Sequence, residues 1–212
     1  MSVNGDPVDA GLVASLAHPG ANVTGTSTLF EELVPKWLEI ITTAVPTART
    51  VAIMANPDSV GNEYWWTQVQ QAARQVRVNV IRVEARTAAG LERAFAAMKK
   101  KRAGALVIMV DAFFLNEMQR IVTLASVHKL PAIYGFREYA DAGGLMSYGL
   151  SYRDYYKGVA RYVDKVLRGT KPAALPVEQP TRIELVINLA TAKELGVKIP
   201  PELLVRADRT IT

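Results

Sequence analysis

Four strand-like apolar runs dominate the middle of this chain: RTVAIMA (residues 49–55), VNVIRVE (78–84), GALVIMV (104–110) and LPAIYG (130–135). Segments of helical period separate them. Continuous Val/Ile/Leu runs are what strands buried on both faces look like, and strict strand–helix alternation implies a parallel sheet with right-handed crossovers. Three of the runs stop at polar or aromatic clusters: Asn56-Pro57-Asp58, Asp111-Ala112-Phe113-Phe114 and Tyr134-Gly135-Phe136-Arg137. Open α/β sheets bind ligands outside the carboxyl ends of their strands. One rim of one sheet is therefore expected to collect all three clusters as a ligand-binding edge.

The helical segments have the spacing this requires. Residues 32–44 carry Leu33, Trp37, Ile40 and Ile41 on one stripe, and residues 61–77 repeat the period through Tyr64, Trp65, Val69, Ala72 and Ala73. Residues 87–101 form a helix with Thr87 as N-cap, and 114–128 another through Leu115, Met118, Ile121, Val122 and Ala125. Before the sheet, residues 9–17 read as a short amphipathic helix, followed by a turn at His18-Pro19-Gly20 and a strand near 22–26. After it come a strand at 144–149, a helix over 152–168 closed by Gly169, and a Pro-rich connection at 171–180. The helix carries Tyr155, Val159, Tyr162, Val163 and Val166 as its apolar stripe. A strand at 182–189, a short helix at 191–195 and a break at Pro200-Pro201 complete the chain.

Composition narrows the function classes. The 212 residues are 50% hydrophobic and 21% charged, enough to bury a core, and none is Cys, which removes disulfides, cysteine catalysis and thiolate metal sites. The net charge of +5 has its densest run at Lys99-Lys100-Lys101-Arg102, where a helix ends; cations there complement the helix dipole, and no nucleic-acid motif accompanies them. Met1 is followed by Ser-Val-Asn-Gly-Asp-Pro, so no signal peptide is expected within this chain, and no apolar run approaches bilayer length.

Enzyme readings find little support. His18 and His128 lie in no nucleophile or metal motif, and no phosphate-cradling Gly-rich loop occurs. Asp111, Glu138 and Asp141 lack a partner at telling spacing, so solvated or capping roles are expected and no metal or cofactor. Binding readings fare better. Asn56 offers amide donor and acceptor together, Asp111 accepts from an ammonium or hydroxyl, and Phe113, Tyr134, Phe136 and Tyr148 provide flat apolar faces. Asn56, ahead of Pro57, also suits a turn. Arg137 suits a ligand carboxylate or an ion pair with Glu138 or Asp141.

Segments 6–25 (DPVDAGLVASLAHPGANVTG), 30–41 (FEELVPKWLEII), 51–58 (VAIMANPD), 130–149 (LPAIYGFREYADAGGLMSYG), 162–181 (YVDKVLRGTKPAALPVEQPT) and 184–208 (ELVINLATAKELGVKIPPELLVRAD) resemble the substrate-binding proteins of bacterial ABC importers. Some members of that group bind tryptophan or other aromatic amino acids. The resemblance implies a type I periplasmic-binding fold, in which two Rossmann-like lobes close on a solute by hinge motion. It implies a first-lobe remnant over residues 1–27, a complete second lobe over 28–144, and a return crossing with C-terminal first-lobe elements over 145–212. Asp6 and Ser27 would face Asn56, Asp111, Tyr134 and Tyr148 across the cleft. The implied function is non-enzymatic: capture of a small molecule, such as an aromatic or branched amino acid, for ABC permease subunits in the periplasm. The alternative is the ligand-sensing effector domain of a regulator with the same fold. Family members carry further chain ahead of Asp6, so this chain is expected to lack most of the first lobe, to bind weakly or not at all, and to self-associate as a homodimer through uncovered helix faces.

Overall fold

In the computed structural model, which describes residues 2–4, 7–8, 10–28, 30–59, 62–179 and 182–212, the four apolar runs lie in one seven-stranded sheet. The chain forms two units. The larger holds Leu33–Gly149 and Glu184–Thr212, and the smaller holds Met1–Glu32 and Leu150–Ile183.

The larger unit is built on β3 (Thr50–Ala55), β4 (Asn79–Glu84), β5 (Ala105–Ile108), β6 (Ala132–Phe136), β7 (Met146–Leu150), β8 (Glu184–Asn188) and β9 (Arg209–Ile211), in the order β4-β3-β5-β6-β7-β8-β9. β3 is parallel to both β4 and β5, β5 is parallel to β6, and β8 runs antiparallel to β7. Every residue of β5 and β6 is buried, as the unbroken apolar runs require of central strands, and so is every residue of β8, Glu184 and Asn188 included. The edge strand β4 is exposed at Asn79 and Glu84 and only half-buried between Val80 and Arg82.

Helices cover the sheet. α1 (Val34–Ala44) follows a 3₁₀ turn at Phe30–Leu33 and buries Trp37, Leu38, Ile40 and Ile41 completely. The indole Nε1 of Trp37 donates to the Tyr148 carbonyl at 2.6 Å. α2 (Asn62–Val76) and α3 (Ala88–Lys100) follow β3 and β4 in the expected crossover positions. Thr87 caps α3 by accepting from Gly90 N at 3.1 Å, and Lys99 and Lys100 lie in its last turn. The helix expected over 114–128 is instead two: α4 (Ala112–Asn116) and α5 (Met118–Val127). Glu117 leaves helical geometry between them, with φ −96° and ψ 15°. α6 (Arg137–Asp141) follows β6, α8 (Leu189–Leu195) follows β8 and ends at Gly196 with φ +69°, and α9 (Pro201–Arg206) precedes β9.

The smaller unit contains β1 (Ser2–Asn4) and β2 (Thr26–Thr28), paired in parallel, and α7 (Tyr152–Leu167), whose N-terminus is capped by Ser151 Oγ accepting from Asp154 N at 3.2 Å. Tyr155 and Tyr162 are buried there; the Tyr162 hydroxyl donates to the Pro176 carbonyl. A chain segment at Glu178 pairs with β2 through Ser27 N to Glu178 O and Glu178 N to Gly25 O, both at 3.0 Å. The other side of α7 exposes Tyr156, Val163 and Leu167, the last at 81%. Val163 and Val166, expected on its buried stripe, are among the exposed residues.

Two further expectations are corrected. The helix expected over 9–17 is absent: described residues from Ala10 to Ala17 form turns and bends. Gly11 adopts φ +67°, and Leu12 N and Val13 N both bond to the Pro7 carbonyl, so the chain closes a turn where a helix would have to propagate. Residues 184–212, assigned to the first lobe, instead complete the sheet of the larger unit. β8 carries five buried residues between β7 and β9, with Leu185, Val186 and Ile187 at its apolar centre. Among the described residues no helix is long and apolar enough to cross a membrane.

Candidate functional site

The parallel pairing of Met54 with Ile108 places the carboxyl ends of β3 and β5 side by side. The polar residues that follow each strand therefore meet although 55 positions separate them. Asn56 Nδ2 donates to Asp111 Oδ1 at 3.1 Å, and Ser59 Oγ donates to Asp111 Oδ2 at 2.6 Å. The backbone N–H of Phe113 donates to Oδ1 at 2.8 Å, so Asp111 is also the N-cap of α4. Asn56 Oδ1 accepts from Asp58 N at 3.0 Å, closing an Asx turn. Asn56 thus starts the turn that the sequence allows it, and its side-chain amide donates to Asp111 on the same rim.

An ionised carboxylate has about four acceptor positions. Among the described residues three donors occupy Asp111, leaving one position on Oδ2 for a further ammonium or hydroxyl group. The residue is half-buried. Ser59 was missed by the sequence reading; its signal is the short polar side chain one residue past Asn56-Pro57-Asp58, where a β-strand opens into a turn.

The aromatic residues separate into two groups. Phe113, in the first turn of α4, and Tyr148, the one residue of β7 that is not fully buried, remain half-accessible. Phe113 packs obliquely on Phe114 with ring centroids 5.4 Å apart. Tyr134 and Phe136 are core residues, 1% and 4% exposed. β6 runs through to Phe136 and is covered on both faces, so neither ring reaches the rim as expected. Tyr134 stacks on Tyr139 at 4.4 Å and 9°, and the Tyr139 hydroxyl donates to the Phe114 carbonyl at 2.7 Å. Burial raises both hydroxyl pKa values well above the phenol range; Tyr134 and Asp111 raise that of Tyr139 further.

Arg137 opens α6 and is paired with Glu184 at 3.4 Å and Glu138 at 3.9 Å. Asp141 pairs with Arg209 at 2.6 Å. The three carboxylates Asp111, Glu138 and Asp141 therefore have separate partners, and among the described residues no group of three or more His, Cys, Asp or Glu could hold a metal ion. Ser27 lies in β2 of the smaller unit, fully buried. Asp6 lies outside the described residues.

The mixed sheet flanked by helices, with polar groups gathered at its carboxyl rim, is a type I periplasmic-binding-protein-like fold. The chain belongs to the ABC transporter substrate binding protein family, whose model matches residues 1–211. A tyrosine-binding protein of Clostridioides difficile is 26% identical over 193 residues, covering 91% of this chain and 55% of that protein. The chain thus spans about half the length of that relative. Among solved structures, a conserved domain protein from Vibrio cholerae shares 28% identity with a TM-score of 0.84, covering 97% of this chain and 68% of the other. An ABC domain in complex with L-Trp from Streptococcus pneumonia shares 25% identity, also with a TM-score of 0.84, over 97% and 70%.

Proposed function

We propose that the protein is the solute-binding component of an ABC import system and that its β3/β5 rim binds the amine end of an aromatic amino acid. The observation that carries this reading is the meeting of Asn56, Ser59 and Asp111 with one acceptor position still open on the carboxylate. The ligand's ammonium would take that position, and Phe113 and Tyr148 would face its ring. A tyrosine-binding relative and an L-Trp complex among the similar structures support the ligand class. Delivery to permease subunits and a location outside the cytoplasmic membrane belong to the same proposal and rest on the family. Arg137 has no place in it, because Glu184 and Glu138 already neutralise the guanidinium.

Calorimetric titration with L-tryptophan, tryptamine and indole-3-propionate tests the reading. An Asp111-centred site keeps tryptamine, which retains the amine, within about tenfold of tryptophan and rejects the acid by more. Binding of indole-3-propionate tighter than tryptamine would overturn the assignment of Asp111.

A further inference from the structure

β4 is the terminal strand of the sheet and, among the described residues, pairs only with β3. Asn79 N bonds to Arg49 O and Ala85 N to Ala55 O, which fixes the alternation of the strand. Residues 79, 81, 83 and 85 turn their backbone groups toward β3. The N–H and C=O groups of Val80 and Glu84 therefore point out of the sheet edge. β4 has no proline to guard that edge, and its Val80-Ile81-Arg82-Val83 core has strong strand propensity.

A groove of about 710 Å³ runs along this edge between β4 and α3. Arg82 to Thr87 form one wall; Gly90, Ala94 and Ala97, small residues on one helical stripe, form the other. Four cations line it, Arg82, Arg86, Arg93 and Lys101, against the single carboxylate of Glu84. Arg82 is held by Glu84 at 2.8 Å and Arg86 by Asp58 at 3.0 Å. Arg93 and Lys101, both exposed, have no ion pair among the described residues and extend the field of the neighbouring Lys99 and Lys100.

We infer that this groove receives an acidic, extended segment of a partner protein, which adds a strand to β4 and sets its carboxylates against Arg93 and Lys101. The outward backbone groups call for a strand, and the surplus of positive charge selects its composition. A second copy of this chain would bring the same four cations against themselves. The occupant is therefore a different, acidic chain.

The test uses a fluorescent peptide of about nine residues alternating glutamate with valine or threonine, followed by anisotropy as salt is raised. Three further arms accompany it: the same peptide N-methylated along one backbone edge, the double variant Arg93→Glu/Lys101→Glu, and the pair Glu84→Ala and Glu84→Pro. Strand addition predicts loss of about tenfold or more in affinity on N-methylation and on the charge reversal. It also predicts that Glu84→Ala binds as well as or better than the parent, while Glu84→Pro, which removes an outward N–H along with the same negative charge, binds worse. No binding at low salt, or equal binding of the N-methylated peptide, overturns the proposal. The first outcome makes the cations guards of an edge strand, and the second makes them a nonspecific anion surface.

Discussion

Replacing Asp111 separates two jobs that one carboxylate performs. Asp111→Ala removes the N-cap of α4, worth about 1 kcal/mol, and the hydrogen bonds from Asn56 and Ser59. Hydrogen bonds to a buried charge are worth about 1.5–3 kcal/mol each, but Asp111 is only half-buried and both donors can turn to water, so about 1 kcal/mol for each is the better figure. The expected cost of the alanine variant is about 2–3 kcal/mol. Asp111→Asn keeps an oxygen for the Phe113 N–H and the Asn56 amide, and the Ser59 hydroxyl can rotate to accept from the new amide. Its expected cost is under about 1 kcal/mol, since Asn caps helices as well as Asp does. All three tryptophans, Trp37, Trp65 and Trp66, lie in the larger unit, so urea unfolding followed by indole fluorescence reads the stability of that unit directly. On the proposed reading, binding does not separate the two variants: both are expected to lose tryptophan affinity because both lose the charge. If Asn costs as much stability as Ala, the charge and not the hydrogen-bond geometry holds the rim, and the reasoning fails. An alanine cost below about 0.5 kcal/mol would mean that the observed bonds contribute no net stability.

Three further outcomes are expected. In Gly149→Ala the new methyl meets the Gly135 carbonyl group of the backbone, which cannot move aside as a side chain could, so a loss of about 3 kcal/mol in urea unfolding is expected. Trp37→Phe removes the donor to the Tyr148 carbonyl within the core and is expected to cost about 1–3 kcal/mol by the same measurement. For Glu39, burial pushes the carboxyl pKa up, but hydrogen bonds and charge from Lys36 and Arg206 outweigh it and hold the value below the ordinary 4.5. A depressed folded value gives stability that is present above the unfolded pKa and lost as pH falls through the folded one. Glu39→Gln should therefore lose less than about 1 kcal/mol near neutrality, because both partners are well exposed, and the difference from the parent should close as the pH is lowered through the region below 4.5.

The sheet was legible because burial on both faces leaves a signature that survives in one sequence: RTVAIMA and GALVIMV hold β3 and β5, and the ends of both were placed within a residue or two. The rim followed from it, since parallel neighbours end together, and Asn56 and Asp111 do meet. What failed depended on neighbours that the local pattern does not name. Tyr134 and Phe136 look like a polar-aromatic stop, yet α6 begins at Arg137 and keeps both rings inside. Leu12, Val13 and Leu16 have helical spacing, but a positive φ at Gly11 and the carbonyl of Pro7 settle that segment as a turn. The strand expected at 182–189 forms, but its burial on both faces, Glu184 and Asn188 included, comes from its place between β7 and β9. Ser59 reaches Asp111 across 52 positions of chain, a contact only the folded register creates.

If the rim binds a ligand as proposed, the near-complete occupation of Asp111 bears on what it can select. A carboxylate with all its acceptor positions open to water would bind any cation weakly and would reorganise to do so. Here the backbone N–H that starts α4, the amide that closes the Asn56 turn and the Ser59 hydroxyl fix both oxygens before a ligand arrives. Preorganised acceptors lose little conformational freedom on binding, and that saving appears as affinity. The single remaining position also limits the ligand's donor to one direction, beside Phe113 at the start of the same helix. On the proposed reading, capping and recognition are the same arrangement: the hydrogen bonds that begin α4 also aim Oδ2, and any substitution that loosens the cap is expected to weaken selectivity before it unfolds the sheet.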